Sequence, residues 1–277
     1  MSDSTAIEWT DATWSPVTGC SRVSPGCLNC YAEKLTATRL RDQQKYKGLT
    51  DSAGHWTGEI RLNPWSLSEP LHWKTPRRIF VNSMSDTFHD KVPRSFQCQM
   101  FDVMEACPQH TFQVLTKRPG QMEYFATWVW PYYKTYGRPP QDSDKPGRRP
   151  LWWKVEGTGD FFWPPNVWAG TSLEQEWDGK KRLTGRIDCL LRVPAKVRFV
   201  SCEPLLAPLN LLPWFHKCTG CVPTPENPQC ACKGLAIQWV IVGGESGPGA
   251  RPMDLAWARD LVRQCQHVGA AVFVKQL

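Results

Sequence analysis

Six short, largely apolar runs recur along the chain: Arg78–Met84, Thr111–Lys117, Val167–Ser172, Val197–Cys202, Gln238–Gly243 and Ala271–Lys275. Runs of this kind predict strands of a parallel sheet covered on both faces. Helical periodicity occupies Arg94–Cys107, Leu173–Leu191 and Leu255–Val268 between them. A strand–helix alternation predicts an α/β fold, as a closed or partial barrel or as a doubly wound sheet. The strand ends favour the barrel. Asn82, Ser83 and Asp86 follow the first run, Thr116, Lys117 and Arg118 the second, and Thr171, Ser172 and Glu174 the third. Ser201 to Glu203, Gly243 to Ser246, and Lys275 with Gln276 close the others. A barrel gathers its active groups at the carboxyl ends of many strands, whereas a doubly wound sheet needs them only at its switch point. Helix capping explains one or two such ends and is strained for all of them. The expectation is a single-domain partial barrel over residues 1–277, with a first strand near Thr13–Val17.

Beyond that first strand lies the main candidate chemistry. Cys20, Cys27 and Cys30 form a C-x6-C-x2-C cluster on a loop containing glycine and proline. An iron–sulfur cubane takes four thiolates, one per iron, so three leave one iron able to bind something else. A tetrahedral zinc site would need a fourth protein ligand, and the nearest histidine downstream is His55.

Bulk properties change the picture modestly. With 277 residues, 41% hydrophobic and 21% charged, the chain is an ordinary globular protein able to bury a large core. No basic n-region with an apolar core opens it, and no apolar run spans a bilayer. A cytoplasmic location is expected, where twelve cysteines point to metal binding or catalysis, not disulfides. The net charge of +7 permits a polyanionic partner.

Two stretches interrupt the strand–helix pattern. Tyr132–Pro165 is rich in proline, aromatics and cations, and Leu212–Gly234 carries Cys218, Cys221, Cys230 and Cys232. The second set reads as a metal-stapled loop holding zinc or a second iron–sulfur cluster. In the first, Tyr132, Tyr133, Tyr136, Trp152, Trp153 and Trp163 mix with Lys134, Arg138, Lys145, Arg148, Arg149 and Lys154. That mixture suits a single strand or a flipped base of nucleic acid; a packed loop with a basic rim is the plainer alternative. Most of the fifteen tryptophans are expected to be packing residues.

The segments Ile7–Trp14, Gly19–Cys20, Gly26–Cys27 and Cys30–Glu33 resemble a three-cysteine-motif family of phage and bacterial proteins. Leu115–Pro119, Ser201–Leu205, Gly243–Gly247 and Ala250–Pro252 extend the resemblance nearly end to end. That family is similar to the radical S-adenosylmethionine superfamily, with spore photoproduct lyase as a relative. The resemblance implies a partial (β/α)6 barrel holding a [4Fe–4S] cluster on Cys20, Cys27 and Cys30, whose free iron chelates S-adenosylmethionine. The commonest superfamily loop is C-x3-C-x-aromatic-C. Here the first gap is six residues, Asn29 replaces the aromatic, and Tyr31 follows the last cysteine and is placed for adenine packing.

Under that resemblance, Ser83, Asp86, Thr116, Lys117, Ser172 and Glu174 are expected to hold the cofactor, with Lys117 or Arg118 on its carboxylate. Glu245 follows the last but one run and is expected at the barrel mouth, facing substrate. Cys202 is a candidate to return a hydrogen atom to a product radical, or else a small buried hydrophobe. The implied function is a radical enzyme on nucleic acid, most specifically repair of ultraviolet pyrimidine photoproducts in DNA, with a flavodoxin, ferredoxin or other reductase as electron donor. The alternatives are modification of RNA, a nucleotide or a protein, or a zinc-stapled nucleic-acid-binding barrel without catalysis.

Overall fold

In this computed structural model, residues 5–141, 143–144, 163–216 and 235–276 are described. Among these residues nine strands and seven α-helices follow one another. The chain opens with β1 (Ala12–Trp14), β2 (Val17–Thr18), α1 (Tyr31–Ala37) and β3 (Arg61–Leu62). Then come β4 (Arg78–Val81), α2 (Arg94–Glu105), β5 (Thr111–Thr116), α3 (Pro119–Tyr124) and α4 (Trp130–Tyr136). The rest is β6 (Val167–Ser172), α5 (Gly185–Leu191), β7 (Arg198–Cys202), α6 (Leu212–Phe215), β8 (Trp239–Gly243), α7 (Leu255–Val268) and β9 (Ala271–Gln276). Seven strands make one all-parallel sheet in the order β1-β4-β5-β6-β7-β8-β9, and β2 pairs with β3 as a small antiparallel ribbon. Chain order and sheet order coincide, and the sheet ends at β1 and β9 without closing. This is the expected α/β partial barrel.

Side-chain alternation along the strands splits the interior into two compartments. Ile79, Val81, Phe112, Val114, Val167, Ala169, Val200, Val240 and Val242 pack outward into the main core with Phe101, Met104, Ile187 and Leu261 from the helices. Their neighbours Phe80, Leu115, Trp168, Phe199, Trp239, Ile241 and Phe273 form a second cluster on the concave face, around Trp9. Phe80 and Ile241 sit on strands with three others between them, so their common cluster requires a curled sheet. Trp9 packs against Phe80 at 4.7 Å and Trp239 at 5.8 Å between ring centroids, plugging the lumen below the functional face.

Phe199 fills the lumen because β6 offers no side chain beneath it. A Cβ on Gly170 would lie 2.3 Å from the Phe199 ring, which cannot leave a closed aromatic cluster cheaply. Gly170→Ala should therefore destabilise by about 1–3 kcal/mol through overpacking. In a denaturant titration, Phe199→Leu in the same chain should recover much of that loss. A midpoint unchanged by Gly170→Ala would mean that the ring moves aside freely.

Several expectations need correction. The helix expected over Leu173–Leu191 is only Gly185–Leu191. Asp178 Oδ1 accepts the backbone N–H of Lys180 and Lys181, and Gly179 adopts φ +91°, so a local Asx-type turn displaces helix. Tyr132, Tyr133 and Tyr136 lie in α4, not in an exposed loop. Tyr133 stacks on Trp130 and donates to Asp102 at 2.6 Å. Trp163 is buried against Phe101 and donates to the Val167 carbonyl at 2.8 Å. Tyr132, Tyr133 and Trp163 thus pack with the outer core, whereas Tyr136 is exposed. Trp152, Trp153, Lys145, Arg148, Arg149 and Lys154 lie outside the described residues, as do Cys218, Cys221, Cys230 and Cys232. No helix among the described residues is long and apolar enough to cross a membrane.

Candidate functional site

The chain leaves β1, forms β2, and runs over the carboxyl ends of the parallel strands as the cysteine loop. Asn82 fixes the departure. It adopts φ +56°, a conformation asparagine tolerates, and its backbone N–H donates to the Trp14 carbonyl at 2.7 Å. Its side-chain oxygen accepts the Val17 N–H at 3.0 Å, and its amide donates to the Thr87 hydroxyl at 2.9 Å. Cys20, Cys27 and Cys30 then line one cavity of about 140 Å³, together with Ser83, Asp86, Thr116, Lys117 and Ser172. Residues distant in sequence and expected together are thus brought together.

Three carboxylates from the ends of alternate strands hold this loop. Beyond β4, Asp86 accepts the Thr116 hydroxyl at 2.7 Å, the Lys117 N–H at 3.2 Å and the Arg118 guanidinium at 3.1 Å. Arg118 donates onward to the Ser21 hydroxyl at 2.7 Å, the Ser21 carbonyl at 3.1 Å and the Cys20 sulfur at 3.8 Å. Beyond β6, Glu174 is fully buried, pairs with Arg186 at 2.9 Å and accepts the Gly26 N–H at 3.2 Å. Beyond β8, Glu245 accepts the Asn29 amide at 2.7 Å and the Arg251 Nε–H at 3.0 Å, while Arg251 donates to the Pro25 carbonyl at 2.9 Å. Ser21, Gly26 and Asn29 each adjoin a cysteine. Every cysteine thus has a chain neighbour anchored to a strand end.

Asp86 and Glu174, expected on the cofactor, and Glu245, expected to face substrate, all direct oxygens to the loop, Asp86 through Arg118. Asp86 also lines the cysteine cavity, and Glu245 the larger one described below. Thr116 is likewise committed, donating to Asp86 and accepting the Arg118 N–H at 2.8 Å. Burial would raise the Glu245 carboxyl, but Arg251 and Asn29 hold it at about 2, so it stays charged. For Glu174, burial acts upward and Lys117 with Arg186 outweigh it, leaving the carboxyl below its ordinary range.

Cys202 is not brought to the site. It is buried in the outward core with Val200, whereas its neighbour Ser201 lines the lumen. A thiol facing the helix layer does not deliver a hydrogen atom into the cavity; Cys202 is the small buried hydrophobe of the two readings. The polar groups still uncommitted at the mouth are the side chains of Lys117, Ser83, Ser172 and Ser201, which have no hydrogen-bond partner among the described residues.

The cysteine cavity opens into a larger one of about 510 Å³, sharing Cys30, Tyr31, Phe80, Lys117 and Ser172 with it. Tyr31 stands where the two join, its hydroxyl donating to the Ser83 carbonyl at 2.5 Å. The segment Thr5 to Ile7, Trp9, Ser201 and the Lys275–Glu203 ion pair at 2.5 Å line the larger space. The N-terminal contribution was missed from sequence, because Glu8 and Trp9 sit in a turn closed by the Thr10 N–H on the Ile7 carbonyl at 3.2 Å, which no strand or helix pattern marks. Glu33 was also missed. It is buried beneath the loop, accepts Arg22 Nε–H at 3.1 Å and the Trp56 N–H at 2.7 Å, and ties residues after α1 to the cysteines.

The donor chemistry distinguishes between metal groups. Among the described residues, no three His, Cys, Asp or Glu side chains are close enough to share one metal ion. A single zinc draws its thiolates to within about 4 Å of one another. A cubane sets one thiolate on each iron, and the three cysteines that line the common cavity could supply three of the four. Burial and the Asp86 charge push the Cys20 thiol up to about 12 against the opposing pull of Arg118, and burial raises Cys30. Metal binding here displaces protons.

Residues 4–277 match the family described as "Protein of unknown function (DUF5131)". The chain belongs to this family. No curated protein matches it. Among solved structures, a mutant of spore photoproduct lyase is similar at 9% sequence identity and a TM-score of 0.48, over 98% of this chain and 78% of that one.

Proposed function

We propose that this protein is a radical S-adenosylmethionine enzyme with a [4Fe–4S] cluster on Cys20, Cys27 and Cys30, acting on nucleic acid, with repair of an ultraviolet pyrimidine photoproduct in DNA as the specific reaction. The observation that carries the reading is the convergence of Cys20, Cys27 and Cys30 on one cavity at the carboxyl ends of a parallel half-barrel. When bound, cluster and cofactor supply a one-electron reductive cleavage whose 5′-deoxyadenosyl radical takes a hydrogen atom from substrate.

The chain's own residues do the positioning. Cys20, Cys27 and Cys30 each give a thiolate, and the three carboxylate anchors fix where those thiolates stand. Lys117 offers an ammonium to an anionic group, and Ser83 and Ser172 offer hydroxyls beside it. Tyr31 walls the passage between cofactor and substrate spaces. Trp9 and Phe80 close the lumen from below, limiting water and stray hydrogen donors. The larger cavity combines aromatic surface with Lys117 and Lys275, a lining suited to an extruded base and its phosphate. Cys218, Cys221, Cys230 and Cys232 would hold zinc or a second cluster, and electrons would come from a flavodoxin- or ferredoxin-type donor.

Anaerobic reconstitution with iron and sulfide tests the class. The expected product is a brown protein with about four irons in the three-cysteine cluster that cleaves S-adenosylmethionine once reduced. A colourless, zinc-only protein would sink the reading. Irradiated DNA, untreated DNA and irradiated RNA then separate substrates: restored thymine from irradiated DNA alone is expected, and no change in any arm would send the search to nucleotides or proteins.

A further inference from the structure

Among the three cysteines, Cys20 is distinguished by its company. Arg118 Nη1 donates toward its sulfur at 3.8 Å and toward Asp86 at 3.1 Å, so one nitrogen serves a thiol and a carboxylate. The Arg118 and Asp86 side chains are nearly sealed from water, 8% and 6% exposed. Asp86 is also held by the Phe88 N–H at 2.9 Å, by Thr116 and by the Lys117 N–H, which holds both its oxygens in place. Ser21 fixes the other end of the guanidinium. Its hydroxyl accepts from Arg118, and also from His89 Nε2 at 2.9 Å, because His89 Nδ1 already accepts the Lys91 N–H. The other charges nearby are engaged elsewhere or stand off: Arg22 is paired with Glu33, Glu174 with Arg186, and Lys117 makes no sulfur contact among the described residues.

We propose that Arg118 and Asp86 act as an opposed pair that sets the reduction potential of the cluster through Cys20. The inference rests on the cluster reading above and adds to it a residue-level control. Reduction adds negative charge to the group bound by Cys20. A buried cation donating a hydrogen bond to that sulfur stabilises the reduced form and raises the potential. The Asp86 anion, on the far side of the same guanidinium, works the other way. With so little water to screen them, both charges act more strongly than they would at the surface. The pair is a positioning and tuning device, since neither residue need touch substrate.

The test is a potentiometric titration of the reconstituted protein, followed by the electron paramagnetic resonance of the reduced cluster, with iron content measured on each sample. Arg118→Gln should lower the potential and Asp86→Asn should raise it. At a fixed poise each should change the reduced-to-oxidised ratio about tenfold, which is 59 mV for one electron. A loosened loop would cost iron in both variants without producing opposite shifts. Should Arg118→Gln load less than half the wild-type iron, Asp86→Asn decides alone, and its potential must rise. Shifts of the same sign, or changes below about twofold in protein with full iron, would overturn the proposal. A wild-type protein that takes up no iron would instead remove the cluster reading on which it stands, and the proposal with it.

Discussion

Alanine in place of Glu174 should cost the fold about 3–5 kcal/mol, as removal of one member of a buried ion pair generally does. Glu174 is fully shielded and Arg186 is 8% exposed, so the guanidinium left behind has no route to water. Arg186 would keep only the Ser172 carbonyl, which it reaches at 3.0 Å, and the Gly26 N–H would lose its acceptor. Glu174→Gln should fall between, preserving the Gly26 bond while leaving the cation uncompensated. Replacing both partners, Glu174→Leu with Arg186→Met, should recover much of the stability without restoring the loop anchor. Urea titrations on the four proteins check this. A Glu174→Ala midpoint within about 1 kcal/mol of wild type, on the usual linear scale, would show that the pair does not hold this end of the barrel together.

The second large effect is on chemistry. Substituting Ala for Cys20, Cys27 or Cys30 should each bring cofactor cleavage to background and strip most of the iron, because among the described residues these three are the cysteines that line the cavity. Cys202→Ala should behave differently. It deletes a sulfur from the helix-facing core, so it should cost packing energy of about 1 kcal/mol while leaving iron content and cleavage near wild type. Full cleavage activity in any of the three loop variants would refute the ligand assignment. Loss of cleavage in Cys202→Ala at full iron content would return that thiol to the site.

Sequence reasoning went furthest where local chemistry and periodicity agree. The α7 bounds match the expected Leu255–Val268 because Asp254 caps the first turn, accepting the Ala256 N–H, and Gly269 takes φ +77° just past the last. The strands stood out as apolar runs, and their polar ends pointed to the functional face. What those runs hide is which side chain faces where. Both faces of a covered parallel strand are apolar, so Phe199, Val200 and Cys202 carry no mark of the lumen or the helix layer, and both readings of Cys202 stay open until the structure places it. The carboxylates were found but their work was not. Glu174 meets Gly26 across 148 residues and Glu245 meets Asn29 across 216, and no local pattern announces a partner so far away. The Leu173–Leu191 helix failed for a local reason, the turn chemistry of Asp178 and Gly179.

Because strand ends grip the cysteine loop at Ser21, Gly26 and Asn29, its conformation is settled by the barrel and does not wait for metal. A zinc finger organises itself around its ion and collapses when the ion is withdrawn. Here the receptacle comes first. On the proposed cluster reading, iron arriving at the finished protein would meet sulfurs already corralled, little of its binding energy would go into arranging backbone, and the emptied scaffold would keep its shape for another filling.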